Sequence, residues 1–339
     1  MEDWASPGAY EVTAGVHRIP LPLPAIGLRA VNVYVVADPS GLVIVDAGWA
    51  TGESREALSA GLRELGYGLD DVAQFIVTHA HWDHYTQAIA LRASFGSRVR
   101  VGRGERYTIE GFDPAAGRFP AQVELLRQAG ATELASIVAA LPVDQLERDT
   151  PFERPDAWLD DGEKIVLSDR TLEVFATPGH TRGHVVLRDP AAGVLFAGDH
   201  VLPSITPSLG LELAPEPHPL RSYLDSLRLV RDQPDLMLLP AHGPVTPSVH
   251  VRVDELIAHH EQRLEATAAL VAAGRDTAAS VAAGLPWTRR ARRLDEMDVF
   301  NQMLAVLETE AHLDVLAELG ELIEATDAAG IHRYQKPAG

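Results

Sequence analysis

Val72-Ala73-Gln74-Phe75-Ile76-Val77-Thr78-His79-Ala80-His81-Trp82-Asp83-His84 carries more of this chain's meaning than any other stretch. An apolar run reads as a strand, and four side chains of metal-ligand type follow it within six residues. His79 and His81 stand two apart, so extended or tight-turn backbone points both imidazoles the same way. Asp83 and His84 come at a different phase and can face a second point in space. The spacing therefore reads as two metals, one at each pair. Imidazole with carboxylate suits zinc, and iron and manganese fit the same ligands. A solitary histidine is commonly structural, but four ligand-type residues crowded at one strand end are poorly explained that way.

Three later segments repeat the logic. Thr177-Pro178-Gly179-His180-Thr181-Arg182-Gly183-His184 follows the apolar Leu172-Glu173-Val174-Phe175-Ala176. Val194-Leu195-Phe196-Ala197-Gly198-Asp199-His200 is a strand ending in a carboxylate, and Met237-Leu238-Leu239-Pro240-Ala241-His242-Gly243-Pro244 is one ending in a histidine. In each, a short hydrophobic strand leads through a Gly- or Pro-bearing turn to a ligand-type side chain. Such turns converge on one sheet edge, where rigid scaffolds present catalytic groups.

On these residues the chain resembles the metallo-β-lactamase-fold metallohydrolases. That family's motifs are an Asp after an early strand, H-x-H-x-D-H, a His in a G-H-T turn, a Gly-Asp and a late His. Here they correspond to Asp46, then His79, His81, Asp83 and His84, then His180, Asp199 and His242, in the family's order over about residues 10 to 250. The pattern is most similar to the glyoxalase II and LACTB2-like branch. Asp199 stands where many antibiotic-destroying lactamases have Cys, and the Pro-Gly-His-Thr-x-Gly-His turn is intact. The resemblance implies an α/β (α+β) fold, the αββα sandwich of two mixed sheets with helices outside. It also implies two divalent metal ions, with zinc the expected ion. His79, His81 and His180 would hold the first, Asp83, His84 and His242 the second, and Asp199 would bridge them. A bridging hydroxide would then be available near neutral pH. The chain has no cysteine, so no thiolate ligand enters.

Other residues carry smaller expectations. Asp46 would orient a ligand histidine through a hydrogen bond, with a turn-forming Asp as the plainer reading. Asp83 and Asp199 are expected to act in catalysis as well as ligation. His184, four after His180, would touch substrate or support the ligand shell. His200 should face away from the metals. His259-His260 reads as a solvated helix face, and His17, His218, His250, His312 and His332 have no useful spacing.

Composition bounds the rest. The chain has 339 residues, enough for one large domain with an appendage, and a formal net charge of −19. So acidic a surface repels nucleic acid unless it carries a local basic patch. No apolar stretch approaches a membrane span of about 20 residues, and Met1 to Pro7 lacks the features of a signal peptide. With no cysteine, a reducing, cytoplasmic setting is expected. The expected partner is a small-molecule acyl substrate, with no nucleic acid and no membrane, and a homodimer is compatible.

Along the chain, strands are expected at Val12 to Ile19, Val31 to Val36 and Leu42 to Val45. Pro20-Leu21-Pro22-Leu23-Pro24 reads as a loop near the site mouth, because prolines do not suit a central strand. Helices are expected from Thr51 or Gly52 to Leu65 and from His84 to Gly96. Residues 1–250 would form the catalytic domain. Residues 104–160 are a helical insertion, read as a lid or pocket wall, with scaffold packing as the alternative. Val201 to Pro207 should line the pocket. Residues 251–339 read as a C-terminal helical, winged-helix-like appendage. The cluster Arg289, Arg290, Arg292 and Arg293 reads as a solvated face paired to Asp295 and Glu296. Its rival reading is a contact to RNA or to an acidic cofactor such as coenzyme A.

The expected activity is metal-assisted hydrolysis of an acyl ester or thioester. A lactonase, an endoribonuclease of LACTB2-like type and a mononuclear iron persulfide dioxygenase-like enzyme are the alternatives. The complete second ligand set counts against the last, and the charge counts against the nuclease.

Overall fold

Period-two alternation in the strands sorts side chains onto two faces, and that sorting builds the layers. The computed structural model describes residues 3–24, 27–113, 115–143, 145–288 and 290–337. Its first half runs β1 (Tyr10–Thr13), β2 (Val16–Pro22), β3 (Ala30–Val36), β4 (Leu42–Val45), α1 (Gly52–Glu64), β5 (Val72–Val77), α2 (Trp82–Phe95), β6 (Arg98–Gly102), α3 (Arg106–Glu110), α4 (Pro120–Gln128), α5 (Thr132–Ala139), α6 (Gln145–Asp149) and β7 (Ala157–Leu159). The second half runs β8 (Lys164–Val166), β9 (Thr171–Ala176), β10 (Val185–Asp189), β11 (Val194–Gly198), α7 (Pro219–Arg231), β12 (Met237–Pro240), α8 (Val249–Ala272), α9 (Ala278–Ala282), α10 (Val299–Glu318), β13 (Ile323–Thr326) and β14 (His332–Gln335).

β1 to β7 form one sheet in chain order, and β12-β11-β10-β9-β8 form the second. Both sheets are mixed. β4, β5, β6 and β7 run parallel, as do β11 and β12, and the other pairs within the two sheets are antiparallel. Between the sheets lie Tyr34, Val43, Val45, Ile76, Val174, Leu187, Phe196 and Leu239. Their chain neighbours Val33, Ile44, Phe75 and Val77 point outward to Leu58 and Leu62 of α1 and Tyr85 and Ile89 of α2. On the opposite face Val186 and Leu195 meet Leu224 and Leu227 of α7 and Val253 and Leu256 of α8. Each such side chain taken from water contributes about 1.5–3 kcal/mol, so a register slip in any central strand would be costly. This is the expected αββα sandwich.

Two expectations are refined. The Pro-rich piece is not wholly a loop, because β2 runs through Pro20 and Pro22, opposite Asn32 and Ala30 of β3. β1 pairs with β2 only as far as Arg18, so the prolines lie where β2 has become an edge. The Asn32 N–H turns away from Pro20 to the Ala241 carbonyl at 2.7 Å, so no ladder donor is missed at Pro20. The insertion is also not simply a lid. Val123 and Leu126 of α4 and Ala135 and Val138 of α5 share a core with Val281 of α9 and Met303 of α10. That is scaffold packing, joining the insertion to the C-terminal helices.

The helix boundaries follow local chemistry. Thr51 caps α1 by accepting the Ser54 N–H, and Gly96 ends α2 in the left-handed conformation at φ +79°. The expected division at residue 250 falls inside α8, whose first turns cover the second sheet while Ala268 and Val271 join the helical core. The β13–β14 hairpin follows α10 as a wing. Among the described residues, no helix is long and apolar enough to cross a membrane.

Candidate metal centre

Every candidate ligand sits just beyond a strand end on one rim of the sandwich. β5 ends at Val77, and the chain passes through His79 to His81, which is the N-cap of α2. Asp83 and His84 therefore occupy the first turn of a helix, where the backbone dipole favours a carboxylate. His180 lies in the β9–β10 connection, Asp199 directly after β11 and His242 two residues after β12. Gly198 makes the turn before Asp199 at φ +51°. A Cβ there would lie 2.7 Å from both His184 Nε2 and Thr78 Oγ1.

The side chains gather in two groups, His79, His81, His180 and Asp199 in one, Asp83, His84 and His242 in the other. In each group one ligand atom per residue falls within 4.8 Å of the rest. Asp199 faces both. Its Oδ2 is 3.4 Å from His180 Nε2, while its Oδ1 is 3.4 Å from His242 Nε2 and 3.7 Å from His84 Nε2. Asp83 Oδ2 completes the second group, 3.4 Å from His242 Nε2 and 3.6 Å from His84 Nε2. In the first, His81 Nδ1 and His180 Nε2 are 3.1 Å apart, close enough to share one proton or one cation.

The far nitrogens explain why the near ones are free. His180 Nδ1 donates to the Ser208 carbonyl at 2.7 Å and His242 Nδ1 to the Ala30 carbonyl at 2.8 Å. A carbonyl only accepts, so the proton is on Nδ1 and the Nε2 lone pair points inward. His84 Nδ1 donates to Asp46 Oδ2 at 2.9 Å. Thr78 gives its hydroxyl proton to Asp46, so its oxygen accepts from His79 Nδ1 at 3.1 Å. Asp46 also receives the Thr78 N–H at 2.7 Å and holds a left-handed backbone at φ +60°. Strain of that kind persists where surroundings impose it. It is placed to orient His84 directly and His79 through Thr78.

What remains inside the ring is a set of buried atoms with no hydrogen-bond partner: Nε2 of His79, His81, His84 and His242, and Oδ1 of Asp199. Burial and neighbouring imidazoles hold His81 at about 3, and burial is also the main cause that holds His180 at about 4, so both are neutral and ligand-ready. His84 goes the other way. Burial opposes its charge, but Asp83, Asp46 and Asp199 together carry it up to about 10. The three carboxylates make this a place that favours a cation. An all-nitrogen-and-oxygen donor set around unpaired lone pairs fits divalent metal ions.

His184 requires a correction as a catalytic residue. It is fully buried, with Nδ1 on Thr177 Oγ1 at 2.9 Å and Nε2 accepting the Asp199 N–H at 3.2 Å. It positions Asp199 and offers nothing to a substrate. His200 is also fully buried and lies outside both ligand groups. The solvated-face reading of His259-His260 holds only for His259. His260 is 2 % exposed, and its Nδ1 lies 3.1 Å from Nε2 of the buried His312.

Sequence reasoning missed Glu105 and Glu212, which are buried beside the His180 turn. Glu105 accepts the Thr181 hydroxyl at 2.5 Å, and the backbone N–H groups of Ala80 and Gly183 favour its charge, so it bears on both ligand loops. Glu212 accepts the Arg182 N–H at 2.9 Å. Burial raises them to about 7 and about 8. Gly183 packs against this segment so closely that a Cβ would lie 2.0 Å from the Glu105 nitrogen. The signal available in sequence was the Gly102-Arg103-Gly104-Glu105 run, whose glycines mark a close backbone approach.

The model of the metallo-beta-lactamase superfamily matches residues 26–242, which is most of the sandwich and ends on the last candidate ligand. The chain belongs to that superfamily. Its members are mostly metal-dependent hydrolases. An uncharacterized protein of Mycobacterium tuberculosis is 30% identical over 65% of this chain and 89% of its own length. A beta-lactamase-like protein 2 homolog of Caenorhabditis elegans is 26% identical over 70% of this chain and 63% of its own. Among solved structures, a metallo-beta-lactamase family protein from Thermus thermophilus matches with a TM-score of 0.76 and 28% identity, covering 96% of this chain and 100% of that one. A beta-lactamase domain protein from Burkholderia ambifaria gives 0.75 and 26%, covering 99% and 97%. Both coverages take in the helical third as well as the superfamily domain.

Beside the superfamily ligands stands an aromatic wall. Trp82, between His81 and Asp83, has ring centroids of Trp49 at 6.0 Å, Phe112 at 5.9 Å and Phe152 at 6.1 Å. The Trp49 indole donates to Thr150 Oγ1 at 3.3 Å. Phe112, Thr150 and Phe152 come from the two ends of the insertion. The insertion thus supplies aromatic contacts to Trp82 at its ends and scaffold packing in its middle.

Proposed function

We propose that this chain is a binuclear metal-dependent acyl hydrolase acting on a thioester or a closely related ester, with zinc as its ion. The observation that carries the two-metal reading is Asp199, whose two oxygens face different histidine groups. His79, His81 and His180 would hold one ion and Asp83, His84 and His242 the other. When bound, such ions supply hydroxide at neutral pH and draw charge from an acyl oxygen.

The chain's own residues do the rest. Asp46, Ser208 and Ala30 fix the imidazole tautomers, so binding a metal needs no ring rotation. Asp83 would orient the attacking water and accept its hydrogen bond with the oxygen it does not offer to an ion, while Asp199 would join the two groups. In the net reaction water oxygen bonds to the acyl carbon, the acyl–sulfur bond breaks, and sulfur leaves with its electron pair and takes a proton. The aromatic wall at Trp82 favours an uncharged acyl group beside the reacting carbon. That feature supports acyl over phosphodiester chemistry, as does the net charge of −19.

The test pairs elemental analysis with hydrolysis of an acyl thioester, a homoserine lactone, a β-lactam and a single-stranded RNA on one preparation. About two zinc per chain with thioester or ester turnover supports the proposal. One iron per chain without hydrolysis overturns it.

A further inference from the structure

Behind the His180 turn, a cavity of about 170 Å³ lies between the loop after Asp199 and α10. Ser208 and Leu209 form one side, Leu304 and Glu308 the other, and Trp287 and Thr288 close it. Ser208 is also the residue whose carbonyl holds His180. The cavity therefore adjoins the metal centre across a single loop, at the seam with the C-terminal helices. Glu308 sits in it with Arg263 Nε at 3.9 Å, and the Arg263 guanidinium stacks 4.2 Å over Trp287. A space of that size takes a benzene-sized group or a slender chain, and Glu308 offers an acceptor to an amide N–H.

The cavity's closing residues are the base of a turn with unusual charge. Trp287 and Arg292 exchange both backbone hydrogen bonds, at 2.8 and 2.6 Å. Thr288 and Ala291 take left-handed backbone at φ +61° and +50°, which turns the chain sharply and leaves Arg290 at the tip. Arg290, Arg292 and Arg293 are exposed there. Arg293 meets Asp295 at 3.2 Å, which satisfies part of the expected pairing with nearby acids. Among the described residues, Arg290 and Arg292 have no ion pair. Arg289 lies outside the described residues. On a chain of net charge −19, unpaired guanidinium groups on a turn whose base lines a cavity select for an anion. Their planar forks match phosphate.

We propose that the arginine tip and the cavity form one binding site for the carrier half of the substrate, a thiol borne on a phosphorylated nucleotide, as in coenzyme A. The phosphates would meet Arg290 and Arg292, the uncharged arm would lie in the cavity, and the thioester end would pass round the Ser208 loop to reach the metal rim. This rests on the thioester reading above and specifies which thioesters are taken.

The experiment uses coenzyme A itself, titrated calorimetrically into the metal-loaded full chain. Wild type should bind it, and the triple variant R290Q/R292Q/R293Q should bind at least about tenfold more weakly, with most of the difference lost at high salt. Asn301→Trp, at the exposed mouth of the cavity, should weaken binding with the arginines intact. These surface changes leave circular dichroism and metal content unchanged. Kinetically, the triple variant should raise KM about tenfold for an acyl-CoA. It should leave the same acyl group on N-acetylcysteamine, which lacks the phosphates, unaffected. No binding by wild type, or equal affinity in either variant, overturns the site. Hydrolysis of the truncated thioester without coenzyme A binding leaves the acyl-hydrolase reading standing and removes this one. Arginine-dependent binding without hydrolysis of either thioester does the reverse.

Discussion

Two parts of this molecule bury clusters of histidine, and they treat the ring nitrogens in opposite ways. At the sandwich rim, Asp46 and the carbonyls of Ser208 and Ala30 each engage an Nδ1, and the Nε2 atoms of His84, His180 and His242 face the shared carboxylate of Asp199. In the helical third, His312 Nδ1 donates to the Glu308 carbonyl at 2.7 Å, so its Nε2 accepts from His260 Nδ1. The lone pair is spent on a neighbour. The groupings of ligand-type residues among the described residues are both at the rim. Burial and imidazole content alone do not make a metal site. What makes one is an anchor on the far nitrogen and a carboxylate opposite the near one.

The comparison breaks most visibly at Asp199. Asp199→Ala should abolish turnover and lower metal content while the far-UV circular dichroism stays that of the folded chain. Undiminished hydrolysis would show that the two histidine groups do not work through a shared carboxylate. Asp46→Asn comes next. It keeps an acceptor for His84 but removes charge and perturbs the Thr78 link, and metal affinity or activity should fall about 10–100-fold. Equal metal affinity would demote Asp46 to a turn residue.

On the helical side, His312→Leu removes the acceptor for His260 and leaves a buried N–H unmade. Stability should drop by about 1–3 kcal/mol, read from the denaturant midpoint, with metal content and kcat unchanged. A loss of metal would mean that the two histidine clusters are coupled, and the contrast between them would fail.

The rim was legible because its information is local. His79, His81, Asp83 and His84 fall within six residues, and strand and helix geometry fixes where each points. His180, Asp199 and His242 each follow an apolar strand, and parallel strand ends converge. The helical third was less legible because its contacts are distant. His260 and His312 are 52 residues apart, and nothing in either helix announces the other. The insertion's α4 and α5 likewise meet α9 and α10 across more than a hundred residues of chain. Glu105 was missed for a different reason. A buried glutamate looks in sequence like a surface one, and only tertiary packing separates them. The prolines of β2 show the converse, a sound local rule overridden because β1 stops short of them.

Glu105 sharpens the comparison at its finest, because it serves the rim without being a ligand. Burial holds its carboxyl at about 7, with Glu212 beside it at about 8. An unfolded glutamate titrates near about 4.3. Below that value both states are protonated and the contribution to stability is whole. As pH rises, the unfolded chain loses its proton first, so the folded state is progressively disfavoured until Glu105 and Glu212 have also ionised, after which the loss is constant. Wild type should therefore lose stability from about pH 4 to about pH 8, on top of what other groups contribute. Glu105→Gln stays neutral, keeps an acceptor for the Thr181 hydroxyl, and removes the charge that raises Glu212. Its stability should fall less steeply over the same interval. The change is one of slope rather than level. Denaturant midpoints measured across the interval for both proteins decide it. Parallel slopes would mean that Glu105 is already ionised when folded, and that the loops carrying His81 and His180 are joined by a charged acceptor instead of a neutral one.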